Sequence, residues 1–558
     1  MSILGTIHED VTSDVLGKIG SWQWLVTFVS STFMLSTIFN HYEDIFLMEP
    51  YGVICVTSQH SEVTNKSLCF ISLKSNESLL QCNKWNVNLL WLIWLKKTWL
   101  VFCDHKLKLL TTALISRFGL VFGFIIYGLI SDSFGRKTAI KINIYSDLGM
   151  GLLMTFCDSE GWFRLLVFLK SLFYSANFYM GLLIVCEIAS NRWRSRLSMI
   201  VITPRLLASV CMVPLGNHAL NSETYNFVSS ILCVVYIILL RWTPESPQWL
   251  LFNRRVELAE KILLDAAKRN GIKLCDDFKI RPINHRAYNS IDESATCVGV
   301  LSTHNTRVIV LVICVFWLLY YFSWSSLYVR VYSEKDTSQL LIKTFCFIGT
   351  LGCLTAILSA KLTLRCLLLG HVLVAGVCTS SVIFFSKGFL HDIISAFAIG
   401  SGVIGQALLL IITPRLFAIN IRTTILGCCH AAGQLGSMIS YIFFMFHPLT
   451  DITSMAVHIV VTLGLAGLCL ALLDVDGREI PDVIEDMDYF SELSKPLRWV
   501  SQKTSSPSRE EMEIRVYSFG SAGRSLSTPS NLVEREPAQP IGYLKLWRRF
   551  VKFMRRTH

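Results

Sequence analysis

Charge is scarce in this sequence: Asp, Glu, Lys and Arg together make up 16% of the 558 residues, against roughly 25% in an ordinary soluble domain. With 52% of residues hydrophobic, that scarcity argues against a chain solvated by water and points to lipid as the main solvent. The N-terminus lacks the basic stretch and small-residue cleavage site of a signal peptide, and carries Glu9, Asp10 and Asp14 ahead of its first apolar run. The first helix is therefore expected to stay in the mature protein. Nucleophile motifs, metal-ligand spacings and a Walker lysine are missing, so neither an enzyme nor a cofactor is expected. Gly128 and Gly135 before Arg136-Lys137-Thr138 imitate a phosphate loop, but the spacing is wrong and no strand precedes them. The formal net charge of +11 is spread between and after apolar runs, not gathered into a basic patch interleaved with aromatics, so no nucleic-acid partner is expected.

What is present is a series of apolar runs long enough to approach a bilayer core of about 30 Å. One block comprises Trp22–Asn40, Ala113–Ile130, Ile142–Phe156, Phe163–Ile188, Met199–Leu215 and Phe227–Leu240. A second comprises Val308–Tyr328, Leu340–Leu358, Leu367–Phe385, Ile393–Leu410, Ile425–Phe446 and Ala456–Leu473. The pattern predicts an all-α membrane protein of about twelve transmembrane helices in two six-helix halves, with the lipid bilayer as its principal partner. Most of the 18 cysteines lie inside these runs, where a thiol packs as a small hydrophobe.

Lys and Arg in short loops fix the expected orientation. Arg136, Lys137 and Lys141, then Arg192, Arg194 and Arg196, then Arg241, Arg254 and Arg255, then Lys361 and Arg365, and finally Arg415 and Arg422 all fall on one side. That side is read as cytoplasmic, with both termini on it. The chain then divides into a cytoplasmic N-terminus (1–21), a first half (22–240), a central cytoplasmic loop (241–307), a second half (308–473) and a tail (474–558). The long loop 41–108 lies outside. It holds the sequons at Asn65 and Asn76 together with Cys55, Cys69, Cys82 and Cys103, as expected of a glycosylating, oxidising compartment. Two disulfides are expected there, with their connectivity open. The central loop contains the amphipathic stretch Val256–Arg269. The tail is rich in Ser, Pro and charge, and is expected to be mostly disordered. At its end, Leu544, Trp547, Val551 and Met554 share a helical face among basic residues, a pattern suited to an anionic lipid surface or to simple solvation.

Several short motifs sit at fixed places in this plan. Asp132-Ser133-Phe134-Gly135-Arg136-Lys137 joins the second and third runs, Thr98–Asp104 closes the outer loop, and Pro244-Glu245-Ser246-Pro247-Gln248-Trp249-Leu250 follows the sixth. Asn420–Gly427 follows the tenth and Gly477–Asp486 the twelfth. In this order they resemble the signatures of the organic cation, anion and carnitine transporters of the major facilitator superfamily over about Leu16–Met487. The resemblance implies a major facilitator fold and secondary transport of small organic ions by alternating access, at the plasma membrane. It assigns gating roles to Asp132, Gly135, Arg136, Glu187, Arg194 and Arg422. Glu187 and Arg194 share the spacing of Arg415 and Arg422, a weak internal repeat of the kind transporters use. The second half departs from the pattern: Arg415 stands where Glu is usual, and 360–365 has lost the second Asp-x-x-Gly-Arg-Arg loop. That loss motivates a rival reading, a transport-incompetent relative serving as a membrane receptor or scaffold.

Ionisable and polar residues at membrane depth are candidate pocket residues by default. Arg205, near the middle of the fifth run, either attracts an anionic substrate group or pairs with Asp147. Arg117, Lys170 and Lys343 lie toward span ends, where snorkelling is expected. Gln434 falls where the resemblance would place Arg in anion carriers and Asp in cation carriers, and His430 lies one turn earlier. Trp317, Tyr320, Tyr321 and Trp324 form an aromatic seventh span, suited to organic ions or to packing. Tyr174, Asn177, Asn40 and Gln406 complete the expected pocket. Arg205 together with the neutral Gln434 favours anionic or zwitterionic substrates.

Overall fold

The computed structural model describes residues 15–16, 19–48, 105–157, 160–190, 193–204, 222–273, 278–280, 304–332, parts of 348–382, 388–446, 451–472, 474–476 and 481, with short strands between 53 and 87 and at 517–519 and 534–535. In the first half the helices are α1 (Ser21–Met48), α2 (His105–Phe134), α3 (Arg136–Thr155), α4 (Glu160–Tyr174), α5 (Met180–Ile188), α6 (193–204) and α7 (Ser222–Leu239). The central loop supplies α8 (Pro247–Phe252) and α9 (Val256–Asn270). The second half holds α10 (His304–Tyr332), α11 (Leu364–Val382), α12 (Phe389–Ile412), α13 (Arg422–Phe446) and α14 (Asp451–Ala471). Six helical stretches among the described residues are long and apolar enough to cross a membrane by length and composition.

The helix α2 shows why these runs become spans. Phe118, Phe122, Ile126 and Leu129 recur at helical spacing and are exposed, while Leu120, Phe124 and Tyr127 on the other side are buried. An apolar residue on both faces is the pattern of a helix with lipid on one side and protein on the other. Because lipid offers no hydrophobic drive between helices, close packing must hold them together. At the crossing of α2 with α13, Gly128 lies against the backbone of Thr423 and Thr424, and Gly427 against that of Phe124. The two halves meet there backbone to backbone.

The fourth run is one apolar stretch long enough to span, Gly161–Ile188, with an irregular turn inside it. A 3-10 turn, Ser175–Phe178, separates α4 from α5, and Ser175 Oγ donates to Leu172 O at 2.9 Å, a local bond that competes with the helical ladder. The amphipathic stretch of the central loop is helical as α9 and buries Ala259, Leu263, Ala266 and Ala267. It ends at Gly271, whose φ of 73° gives the left-handed C-terminal turn. It is tied to the start of α1 by Ser21 Oγ donating to Arg269 O (2.7 Å) and Trp22 N donating to Asn270 Oδ1 (2.8 Å).

Short strands accompany the helical fold in two places. The outer segment carries short antiparallel strands, Val53–Cys55 with Trp85–Val87, and Val63–Lys66, Phe70–Leu73 and Leu79–Gln81 in a meander. The tail, expected to be mostly disordered, supplies Tyr517–Phe519 and Glu534–Arg535, which pair with Phe278–Ile280 and Ile272–Lys273 of the central loop.

Candidate functional site

The turn between α2 and α3 is built around one glycine. Gly135 has φ 105°, and a Cβ there would come within 2.5 Å of Glu245 Oε2. Glu245 instead fills the place of an N-cap: its carboxylate accepts the N–H of Arg136 at 2.8 Å and of Lys137 at 3.1 Å, satisfying donors that a helix start leaves open. Burial pushes the Glu245 carboxyl up from the ordinary carboxylate value, against the lowering effect of the Ser246, Lys137 and Arg136 amides. Trp249 of α8 donates Nε1 to Asp132 O at 2.9 Å and lies under the guanidinium groups of Arg136 and Arg255, 5.9 and 5.3 Å from its centroid.

From this turn a charge cluster spans both halves. Arg136 pairs with Glu187 at 3.0 Å and with Asp132 at 3.3 Å. Arg422 of the second half reaches the same Glu187 at 3.1 Å. The side chains of Arg136, Glu187 and Arg422 are 0% exposed. Arg136 Nη2 also donates across the halves to Ile419 O at 2.9 Å, and Arg422 Nη2 to Pro481 O at 3.3 Å. Asp132 caps the start of α13, accepting from Thr424 N and Thr424 Oγ1, both at 2.7 Å. Arg194 braces its own turn, with Nε donating to Cys186 O and Nη2 to Ala189 O. Arg422 does the same in the repeat, with Nε on Phe417 O.

The second half is held differently. Arg415 Nη1 lies 3.3 Å from Asp476 Oδ1 and donates to Ser195 Oγ of the first half at 2.9 Å. Asp476 follows α14 and accepts the N–H of Leu364, the first residue of α11, at 2.5 Å. Arg365 Nη1 donates to Leu472 O at 2.7 Å.

At membrane depth the halves meet through aromatic and polar side chains. His430 of α13 is buried against Trp317 at 4.2 Å, Phe124 at 4.7 Å and Tyr179 at 5.5 Å between ring centroids. Trp317 also packs on Tyr321 at 5.6 Å and donates Nε1 to Thr413 Oγ1 at 3.0 Å. One turn beyond His430, Gln434 Oε1 accepts from Arg117 Nη1 at 3.3 Å. Fifteen residues at about 1.5 Å each put Arg117 about 22 Å along α2 from Asp132. Asn177, on the break between α4 and α5, is buried, and its Nδ2 has no hydrogen-bond partner among the described residues.

Several expected positions move. Arg117 and Lys170 do not snorkel: they are 7% and 2% exposed, because their helix faces turn toward other helices and not toward lipid. Tyr320 and Trp324 turn into the second half, away from the meeting of the halves. Tyr320 OH donates to Gly402 O at 2.5 Å, and both residues line a cavity within that half with Thr379 and Thr462. Gln406 is buried on α12, one turn from Gly402. Tyr174 packs on Phe178 at 5.8 Å. Asp147 Oδ2 accepts from Cys233 Sγ at 3.7 Å. Arg205, Lys343, Asn76, Cys69, Cys82, Cys103 and the basic terminal stretch lie outside the described residues, while Asn40 falls in α1, and Asn65 and Cys55 on strands of the outer segment. Sequence reasoning missed Asp476 and the placement of Arg117. Asp476 carried a signal, being an acid close after the last apolar run, but nothing local connected it to Arg415.

Comparison with known proteins gives one consistent picture. A family model described as Major Facilitator Superfamily matches residues 105–441. Among curated relatives, human organic cation/carnitine transporter 2 is 23% identical over 403 residues, covering 70% of this chain and 71% of the relative. Mouse solute carrier family 22 member 4 is 22% identical over 428 residues, covering 74% and 75%. Among solved structures, the proton:xylose symporter XylE bound to 6-bromo-6-deoxy-D-glucose aligns with a TM-score of 0.58 at 15% identity, over 84% of this chain and 99% of its own. A partially occluded inward-open form of the E. coli protein aligns at 0.53, also at 15% identity, over 80% and 97%. These solved structures share the fold, and the relatives are of the kind that the motifs resemble.

Proposed function

The chain belongs to the Major Facilitator Superfamily, and on that premise we propose that it is a secondary transporter carrying small organic ions across the plasma membrane by alternating access, with organic anions or zwitterions as the favoured class. One observation carries this reading: Glu187 holds Arg136 of its own half and Arg422 of the other at a single membrane end. Contacts of that type between two packed bodies can be released and remade as the bodies rock, and the end they close carries the basic loops, which the positive-inside rule makes cytoplasmic. Asp132, Gly135, Arg136, Glu187, Arg194 and Arg422 are then the gate. The substrate site lies deeper, where Arg117 meets Gln434 beneath the His430 and Trp317 rings and where Asn177 offers a donor. A buried guanidinium at membrane depth is costly, and its charge favours an anionic substrate group.

Uptake of labelled organic anions, cations and zwitterions into cells expressing the protein tests the reading. Uptake of anions or zwitterions that Arg117→Gln reduces at unchanged surface level is the expected result. Efficient uptake of quaternary ammonium compounds, indifferent to Arg117→Gln, would show the opposite charge preference. No uptake of any class at confirmed surface expression would favour a receptor or scaffold instead.

A further inference from the structure

We infer that Asp476 is a positioning residue for the transport cycle: it replaces, from outside the helical repeat, the acid that the second half has lost, and with Arg415 it forms a second clamp between the halves. The inference rests on the alternating-access reading. The internal repeat is visible in geometry as well as in spacing. Arg194 donates to the carbonyl of Ala189 and Arg422 to that of Phe417, each five residues earlier. Arg415 therefore occupies the place that Glu187 occupies in the first half, seven residues before the bracing arginine. Beside Arg365, Arg415 is a second buried arginine at the end of this half, in a place where the first half has a carboxylate.

Asp476 supplies that carboxylate. One oxygen lies 3.3 Å from Arg415 Nη1 and accepts from Ser195 Oγ at 3.4 Å. The other accepts the N–H of Leu364 at 2.5 Å, so the same side chain caps α11 as Glu245 caps α3. Because Arg415 also donates to Ser195 on α6 at 2.9 Å, the triad of Arg415, Ser195 and Asp476 joins the halves a second time. Arg415 is 2% exposed and Asp476 15%, so the pair is only partly screened by water. The clamp hangs on the segment after α14, which makes the tail's point of departure part of the gate.

The test uses the full-length protein and needs no substrate. A reporter, Gln434→Cys, is placed in every variant, and its reaction with a membrane-impermeant maleimide is compared in inside-out and right-side-out vesicles, with labelling of the reporter-free parent subtracted. Asp476→Asn keeps an oxygen for the Leu364 N–H but removes the charge. It is expected to raise labelling from the cytoplasmic side by about fivefold, the lower end of a coupling between sites, at an unchanged surface level. Arg415→Glu is expected to do at least as much, and Arg415→Glu with Asp476→Arg to reverse most of the rise. Labelling in Asp476→Asn equal to that of the parent would mean that Asp476 only caps a helix, and would overturn the clamp. If Asp476→Asn does not reach the membrane, the Arg415→Glu variant and its charge swap decide, and a swap that labels no less than Arg415→Glu alone also overturns it. Because labelling is read without transport, its failure leaves the uptake experiment standing, and failure of uptake leaves the labelling result interpretable.

Discussion

The two halves close the same membrane end with opposite distributions of charge. In the first, the acid is built into the helical repeat: Glu187 sits on α5, fully buried, and pairs with two arginines, one from each half. In the second, an arginine holds the equivalent place and its acid comes from the segment after the last helix. The pairing is thus conserved in kind while its donor and acceptor trade places. What the packed end requires is a carboxylate among buried guanidinium groups, since an uncompensated buried charge is far more costly than a missing pair. Which segment delivers it is free to vary. The first arrangement is the more rigid, because Glu187 is fully buried in the last turn of a helix and held from two sides by arginines. The second depends on a short connection, and is the softer of the two.

That contrast can be broken most severely at Glu187. Glu187→Gln leaves Arg136 and Arg422 buried without their shared carboxylate, and is expected to cost about 3–5 kcal/mol, read as a lower midpoint of thermal unfolding in detergent and a reduced surface level. Asp476→Asn should lower the midpoint far less. Equal losses would mean that the two clamps are equally rigid, contrary to the comparison. A smaller effect is expected at Gly135→Ala, where the positive φ and the approach of Glu245 both resist a side chain. About 1–3 kcal/mol for a backbone region nearly confined to glycine should appear in the same melting experiment, and no loss would show that the α2–α3 turn can relax. The smallest effect sharpens the link between halves. Thr424→Val removes the hydroxyl donor to Asp132 but leaves the Thr424 backbone N–H in place, so a loss of about 1 kcal/mol is expected. A loss as large as that of Glu187→Gln would place the main anchor at Asp132 and not at Glu187.

Much of the buried charge cluster was legible from local sequence. The turn Asp132–Lys137 announces itself because a glycine between two apolar runs, followed by Arg136, allows few backbone solutions. The spacing of Glu187 with Arg194 matched that of Arg415 with Arg422 for the same local reason. The depth of the candidate site was less legible. Arg117 looked like a snorkelling residue because hydropathy along α2 rises and falls without saying which face meets protein. Its contact with Gln434 joins residues 317 positions apart, and no local pattern carries that. Tyr320 and Trp324 were grouped with Trp317 on one aromatic helix, but their directions around the helix send them to different neighbours.

The sequence by itself determined the class of solvent, the alternation of spans and basic loops, and the positions of the turns, because burial in lipid and tight backbone conformations are decided within a few residues. Only the tertiary structure decided which charges meet. Pairs such as Arg136 and Glu187, Arg422 and Glu187, or Arg415 and Asp476 form between elements distant in the chain. A charge withdrawn from water is tolerated only where the packing of helices brings its partner within about 3–4 Å, and that packing depends on the arrangement of the two halves as a whole.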